Sequence, residues 1–288
     1  MEFLSARSVE EALQLLRAHG EAASILAGGS DLMIQLARGE VHPALLVHIE
    51  GIAELSGIAQ HGNLTIGALT THRQLATSAR LACGYLALQE SAASVGSRQT
   101  QEVGTLAGNI CNASPAADTL APLLVHAATV TLVSDARGER TLPLQDFLRG
   151  RRTTARQGDE LLTRIELERV PARTADAYCK VGRRSAMEVA IAGLAARLTL
   201  SDDGQYIAEA RIATCAVGPV PCRATSTEEF LKGRRPDERT LREAGALLAA
   251  GIAPIDDTRA TARYRRSVME GLLGRALRIC TARVSITT

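Results

Sequence analysis

One short run constrains this chain more than any other: Val103-Gly104-Thr105-Leu106-Ala107-Gly108-Asn109-Ile110-Cys111-Asn112-Ala113-Ser114-Pro115-Ala116-Ala117-Asp118. Glycines, alanines, hydroxyls and side-chain amides fill it, with neither the alternation of a strand nor the apolar stripe of a helix. Gly104 and Gly108 let a backbone turn tightly or approach a ligand closely. Thr105, Asn109, Asn112 and Ser114 place short polar groups beside backbone N–H groups, which suits phosphate or ribityl oxygens. Pro115 fits the first turn of a helix continuing through Leu120, Leu123 and Leu124. Asp118 falls near that helix start, where a carboxylate is favoured and can accept from sugar hydroxyls. Read alone, a run of this composition is more often a surface loop followed by a capped helix.

A second run carries the same chemistry. Ile25-Leu26-Ala27-Gly28-Gly29-Ser30-Asp31-Leu32 is an apolar strand that breaks into glycines and then enters a helix. Such a junction gathers backbone amides and a helix N-terminus at one point, where an anion binds. No GxGxxG fingerprint and no GxxxxGK[ST] loop competes with it.

Composition narrows the classes. The net charge is +2 over 288 residues, so no nucleic-acid footprint is expected. Only 2% of residues are aromatic and tryptophan is absent, which leaves no stacking platform and a core of Ala, Leu, Val and Ile. Cys83, Cys111, Cys179, Cys215, Cys222 and Cys280 form no CxxC pair and give no zinc or iron–sulfur ligand spacing. Scattered thiols and an acidic, amphipathic N-terminus predict a reducing, cytoplasmic setting. No run of about 18 apolar residues predicts a membrane span. The cationic side chains are arginine except at Lys180 and Lys232, which draws attention to Lys180.

Along the chain, Ser8 and Glu11 predict a capping box before Leu13 and Leu16, with Gly20 as the stop. Strands are expected at 23–27 and 45–49 around a helix at 31–37, which makes a small αβ lobe over the first 55 residues. A hairpin is expected from strands at 54–59 and 64–66 around Gln60-His61-Gly62-Asn63. Thr70 caps a helix carrying His72 and Leu75, and another covers 85–95. After the glycine run and its helix to 127 come strands at 129–134, 140–142 and 161–167. Pro171 to Asp176 marks a boundary. Beyond it lie strands at 177–181, 189–200 and 207–217, and helices at 226–231, 238–250 and 258–283. His48 and His126 sit in apolar contexts and read as satisfied core histidines. Arg149, Arg151, Arg152 and Arg156 form a basic loop, either solvated surface or a contact for a partner subunit or a nicotinamide dinucleotide. Arg183 and Arg184 either raise the potential near Lys180 or pair with Glu188.

With these residues in view, the sequence resembles the FAD-binding medium subunit of the molybdenum hydroxylases, the xanthine dehydrogenase and carbon monoxide dehydrogenase group. Ala27-Gly28-Gly29-Ser30-Asp31-Leu32 is similar to that family's Ala-Gly-Gly-Thr-Asp-Leu. Val103-Gly104-Thr105-Leu106-Ala107-Gly108-Asn109 is similar to its Val-Gly-Thr-Ile-Gly-Gly-Asn, and Ala113 to Asp118 to its Ala-Ser-Pro-Ala-Ala-Asp. Tyr178-Cys179-Lys180, with Arg184 beyond, resembles the aromatic-x-Lys that opens its C-terminal domain, and 257–277 resembles its last helix. The likeness covers nearly the whole chain.

The resemblance implies an α+β protein. A two-lobed FAD-binding domain of the vanillyl-alcohol oxidase (PCMH) type would occupy residues 1–174, with lobes at about 1–55 and 56–174. A C-terminal α+β domain with an antiparallel sheet and helices would occupy 175–288. It implies that Ile25, Leu26, Ala27, Gly28, Gly29, Ser30, Asp31 and Leu32 line the FAD pyrophosphate, so that Gly28→Val would push a Cβ into the phosphate path. Thr105, Leu106, Ala107, Gly108 and Asn109 would hold phosphates and the ribityl chain. Asp118 would bind hydroxyls, Leu162 would lie near the ring or ribityl end, and Lys180 would reach the flavin ring. Two departures stand out. Ala107 replaces a glycine, which requires negative φ there. Val95 stands where some relatives carry an aromatic residue against the adenine, and it gives apolar contact without stacking.

The same resemblance implies a division of labour. A large partner subunit would carry the molybdenum cofactor and a small one two [2Fe–2S] clusters, with the assembly a dimer of heterotrimers. This chain would take electrons from the clusters and pass them through FAD to NAD or another acceptor, with no catalytic side chain or metal of its own. A stand-alone flavin oxidase or reductase on the same fold would need its own acid–base group over the flavin, and the sequence nominates none.

Overall fold

The computed structural model describes residues 1–184 and 187–287. The first lobe runs β1 (Glu2–Ser5), α1 (Val9–His19), β2 (Ala23–Leu26), α2 (Leu32–Ala37), β3 (Leu45–His48). Its strands pair in parallel in the order β1-β3-β2, as strands joined by helical crossovers do. Helix α1 buries Ala12, Leu13 and Leu16. Ser8 caps it, accepting from the Glu11 N–H. The Glu11 carboxylate accepts from the Arg7 N–H at 2.7 Å, so the capping box is only half formed. Gly20, with φ +51°, closes the helix.

The second lobe starts with a hairpin of β4 (Ile58–His61) and β5 (Asn63–Gly67), turned at Gly62 with φ +87°. The strand expected from Glu54 starts later, because Ala53–Leu55 is a turn of 3-10 helix. Four helices follow close together: α3 (His72–Ala76), α4 (Leu86–Ala93), α5 (Arg98–Val103) and α6 (Leu106–Asn112). Thr71, not Thr70, caps α3, in a full capping box with Gln74. Thr70 is buried instead and accepts from the Gly57 N–H at 3.1 Å. Helix α5 was not legible in the sequence, since its polar residues carry no apolar stripe.

The glycine run is likewise more ordered than its composition predicts. Thr105 accepts from the Gly108 N–H at 3.1 Å and so nucleates α6. Ala113, at φ +44°, ends that helix. Helix α7 (Leu120–Val125) begins five residues after Pro115, with 114–119 in turns. Next come β6 (Thr129–Ser134), β7 (Gly138–Pro143), α8 (Leu144–Phe147), the short ribbon β8 (Leu148–Gly150) and β9 (Thr153–Thr154), and β10 (Glu160–Leu167). The main sheet has the order β4-β5-β10-β6-β7 with antiparallel pairing throughout.

The C-terminal part holds an antiparallel sheet of β11 (Thr174–Val181), β12 (Ala192–Leu200), β13 (Ile207–Cys215) and β14 (Cys222–Arg223), in that order. Helices α9 (Thr225–Leu231), α10 (Glu238–Gly251) and α11 (Ala262–Thr287) complete it. Side chains alternate across a strand, and β11 uses both faces. Ala177 and Cys179 join the core made with Leu248, Met269, Leu273 and Leu277 of α10 and α11. Tyr178 faces the other way, into the core of the first two lobes, as do Ala195 and Cys215. The sheet is thus buried on both sides, which accounts for the run of buried residues along β12, apolar except for Gly193, Arg197 and the half-buried Thr199. The architecture is α+β, as the sequence predicts.

Side-chain contacts fasten the C-terminal sheet and α11 to the second lobe. His126 Nε2 lies 2.7 Å from Asp176 Oδ2, and the same oxygen accepts from the Ala87 N–H at 3.1 Å. Arg283 reaches back to Glu90. His126 is therefore a buried histidine satisfied at Nε2 alone, its Nδ1 being sealed in protein without a partner. His48 is half-buried between the Ser5 hydroxyl and the Glu50 carboxylate.

Candidate flavin site

A cavity of about 580 Å³ opens where the two lobes and the C-terminal sheet meet, within the range of cofactor-sized pockets. The β2–α2 junction, α6, strand β10 and residues 187–189 supply its walls. Both glycine runs therefore reach one space although 75 residues separate Gly28 from Val103.

The two runs do different work there. At the β2–α2 junction, Gly29 has φ +69°, next to residues of ordinary handedness. Such alternation turns successive N–H groups to one side, forming an anion nest. The N–H groups of Gly28, Gly29, Ser30 and Asp31 have no hydrogen-bond partner among the described residues. In the second run the N–H groups are engaged: Leu106 to the Thr70 carbonyl, Ala107 to Ala68, Gly108 to Thr105 Oγ1 and Asn109 to the Thr105 carbonyl. What this run offers a ligand is side chains. Asn109 Oδ1 accepts from the Thr119 hydroxyl at 2.7 Å, which leaves its amide N–H groups for a ligand.

Gly28 has a different reason to be glycine than the sequence predicts. A Cβ added there would stand 1.6 Å from the Val103 carbonyl oxygen. The two runs touch backbone to backbone at this point, so a side chain would strike protein rather than enter the phosphate path. Gly108 is held by its own cap, because a Cβ would stand 2.8 Å from Thr105 Oγ1. Ala107 sits inside α6 with ordinary negative φ, so the missing glycine changes nothing in the backbone.

Asp118 lines the cavity and is buried. Tyr178 donates to its Oδ1 at 2.6 Å, and Lys180 Nζ donates to its Oδ2 at 2.8 Å. Burial pushes the Asp118 carboxyl up from the usual carboxylate range, while Lys180 and Tyr178 pull it back. Lys180 also donates to the Ser94 carbonyl at 3.1 Å. Its ammonium lies behind Asp118 and does not line the cavity. The period of two along β11 is what sends Tyr178 and Lys180 to the same side.

Most of the predicted residues converge. Ile25, Ala27, Gly28, Gly29, Ser30, Asp31, Leu32, Val95, Thr105, Ala107, Gly108, Asn109, Asp118 and Leu162 line the cavity. Leu26, Leu106 and Lys180 do not. Leu26 and Leu106 are buried, and they contribute a carbonyl to Ile49 and an N–H to Thr70. Asn112 and Ser114, named among the polar groups of the run, line the cavity too, as does Cys111; missed in the sequence were Tyr178 as a partner of Asp118 and His72 in the walls. Burial pushes the Cys111 thiol up to about 11, so it is a protonated filler. In the basic loop, Arg152 and Arg156 line the cavity, Arg152 pairing with Glu40 at 2.8 Å. Arg184 pairs with Glu188 at 2.9 Å, the local alternative of the two readings.

The family called FAD binding domain in molybdopterin dehydrogenase matches residues 1–170. The chain belongs to this family. The CO dehydrogenase flavoprotein C-terminal domain matches residues 176–279. The chain is 32% identical to the carbon monoxide dehydrogenase medium chain of Afipia carboxidovorans, over 96% of this chain and 95% of that one. It is 31% identical to the xanthine dehydrogenase FAD-binding subunit of Escherichia coli O157:H7, over 92% and 90%. Reconstituted CO dehydrogenase from Oligotropha carboxidovorans contains a chain of the same fold, with TM-score 0.93, 31% identity and 98% of both chains covered. This is an FAD-binding medium subunit of the xanthine and carbon monoxide dehydrogenase family, an oxidoreductase component.

The residues present fit FAD. A diphosphate needs a nest of unengaged N–H groups, and the β2–α2 junction has one. A ribityl chain needs donors and acceptors beside a wall free of bulky side chains, and Thr105, Gly108 and Asn109 provide it. Among the described residues no helix is long and apolar enough to cross a membrane, and no group of His, Cys, Asp and Glu is arranged to hold a metal.

Proposed function

We propose that this chain carries electrons through FAD within a molybdenum hydroxylase, receiving them from [2Fe–2S] clusters of a small partner subunit and delivering them to NAD or another acceptor. A large partner subunit would hold the molybdenum cofactor and oxidise the substrate, in a cytoplasmic dimer of heterotrimers. Residues 1–174 would form the FAD-binding domain and 175–288 the domain that closes it. The observation that carries this reading is the convergence of the Gly28–Asp31 nest, the Thr105–Asn109 run and Asp118 on one cavity, with Lys180 paired to Asp118 from behind.

Bound FAD supplies redox chemistry in one- and two-electron steps, which links single-electron clusters to a hydride acceptor. The chain's own residues bind and orient it. Gly28, Gly29 and Ser30 hold the diphosphate by backbone N–H groups, with Ile25, Ala27, Asp31 and Leu32 around it. Thr105, Ala107, Gly108 and Asn109 line the ribityl path. Val95 gives apolar contact to the adenine, and Leu162 packs near the ring. Asp118 accepts from hydroxyls while Tyr178 and Lys180 hold its carboxylate still. The ammonium of Lys180, partly neutralised by Asp118, adds positive potential that favours an anionic reduced flavin.

The test is the visible spectrum of the purified chain and of the complex co-expressed with its partner subunits. Flavin bands and near-stoichiometric FAD released on denaturation are expected. Co-purifying iron and molybdenum are expected in the complex. A complex without flavin would refute the reading.

A further inference from the structure

His72 stands at the first turn of α3, and its ring has no hydrogen-bond partner among the described residues. It is 3% exposed and borders the cavity. Nδ1 is sealed in protein without a partner. Nε2 makes no hydrogen bond among the described residues and is absent from the atoms sealed off from solvent. Gly104 fixes where the ring edge lies. A Cβ built on Gly104 would stand 3.1 Å from His72 Cδ2 and 3.4 Å from Ser30 Oγ. The edge that carries Nε2 and the Ser30 hydroxyl thus flank one point, beside the unengaged N–H groups of Gly28, Gly29 and Ser30.

Burial pushes the imidazolium pKa down to about 4, so the ring is neutral at physiological pH. A neutral imidazole carries one N–H. Placing it on Nδ1 would bury an orphan donor, which proteins tolerate less than an unfilled acceptor. The hydrogen therefore sits on Nε2, at the edge that faces open space. We propose that His72 is a further ligand-binding residue of the dinucleotide site, donating a hydrogen bond from Nε2 to the diphosphate held by the Gly28–Ser30 loop. This rests on the FAD reading. It adds a neutral ring donor to the backbone N–H groups and the Ser30 hydroxyl.

The experiment compares affinities of the wild-type protein, His72→Leu and His72→Gln for FAD, ADP and riboflavin, in whichever form of the protein, chain or complex, holds FAD. A hydrogen bond to a charged group is worth about ten- to a hundredfold in affinity. His72→Leu should weaken FAD and ADP by that amount and leave riboflavin unchanged, and His72→Gln should recover part of the loss. Unchanged ADP affinity, or equal losses for ADP and riboflavin, would overturn the proposal. Should His72→Leu fold poorly, the imidazole ¹⁵N spectrum of the wild type answers instead: ADP should shift the Nε2 resonance of a neutral ring more than that of Nδ1. An unmoved His72 signal in a protein that binds FAD overturns this proposal alone. Wild-type complex that binds no FAD overturns the functional reading and this inference with it.

Discussion

At the scale of single residues, two glycine-lysine questions separate packing from chemistry. Gly28 is fixed by the carbonyl of Val103, 1.6 Å from where a Cβ would lie. Gly28→Ala should therefore lower the melting temperature of the protein even when it holds no FAD, because the two runs must part. Loss of FAD content with an unchanged apo melting temperature would restore the steric-block explanation. Lys180 is half of a partly buried ion pair whose side chains are 13% and 8% exposed. Lys180→Ala leaves Asp118 with Tyr178 alone, so its carboxyl should rise further, since the ammonium is what opposes burial there. The flavin reduction potential should fall, read by equilibrium redox titration of the bound flavin. An unchanged potential would remove the electrostatic role of Lys180.

At the scale of elements, the join between α7 and β11 is the place to test coupling. Asp176 is 1% exposed, and its Oδ2 serves both His126 and the Ala87 N–H. Asp176→Ala removes both partners and leaves them buried, which should cost about 3–5 kcal/mol in a urea unfolding measurement. Replacing His126 and Asp176 together by leucine should cost less than the single change, because only the Ala87 N–H then stays without a partner. A single-mutant loss below about 1 kcal/mol would mean that water replaces the missing carboxylate. The same element scale explains α6: one hydroxyl, Thr105, converts a run without a helical stripe into a capped helix, an effect of about 1 kcal/mol.

For the whole molecule, the cavity belongs to three bodies at once. Asp118 comes from the second lobe, while Tyr178 and Lys180 reach it from the C-terminal sheet. A ligand there must stabilise the whole chain by linkage, about 2.7 kcal/mol at a hundredfold excess over its Kd. Calorimetry should show FAD raising the unfolding temperature of the C-terminal domain together with that of the lobes. A second transition that ignores FAD would show that the C-terminal sheet does not take part in the site.

Much of this organisation could be read along the chain, because it is encoded within a few residues. Glycine at a turn, a hydroxyl at a cap and a period of two or 3.6 act over one or two turns of backbone. Hence the order of lobes, the strands at 129–134 and 161–167 and the character of both glycine runs were legible, as were fourteen cavity residues. Boundaries failed where two caps competed, as at Thr70 and Thr71, or where a helix such as α5 buries too little to carry a stripe. Tertiary structure alone decided what faces what. Val103 against Gly28, Tyr178 and Lys180 on Asp118, and the unpartnered ring of His72 all depend on which distant segments pack together. Local propensity carries no record of such contacts, because each arises from burial shared between segments far apart in sequence, and no one of them contains it alone.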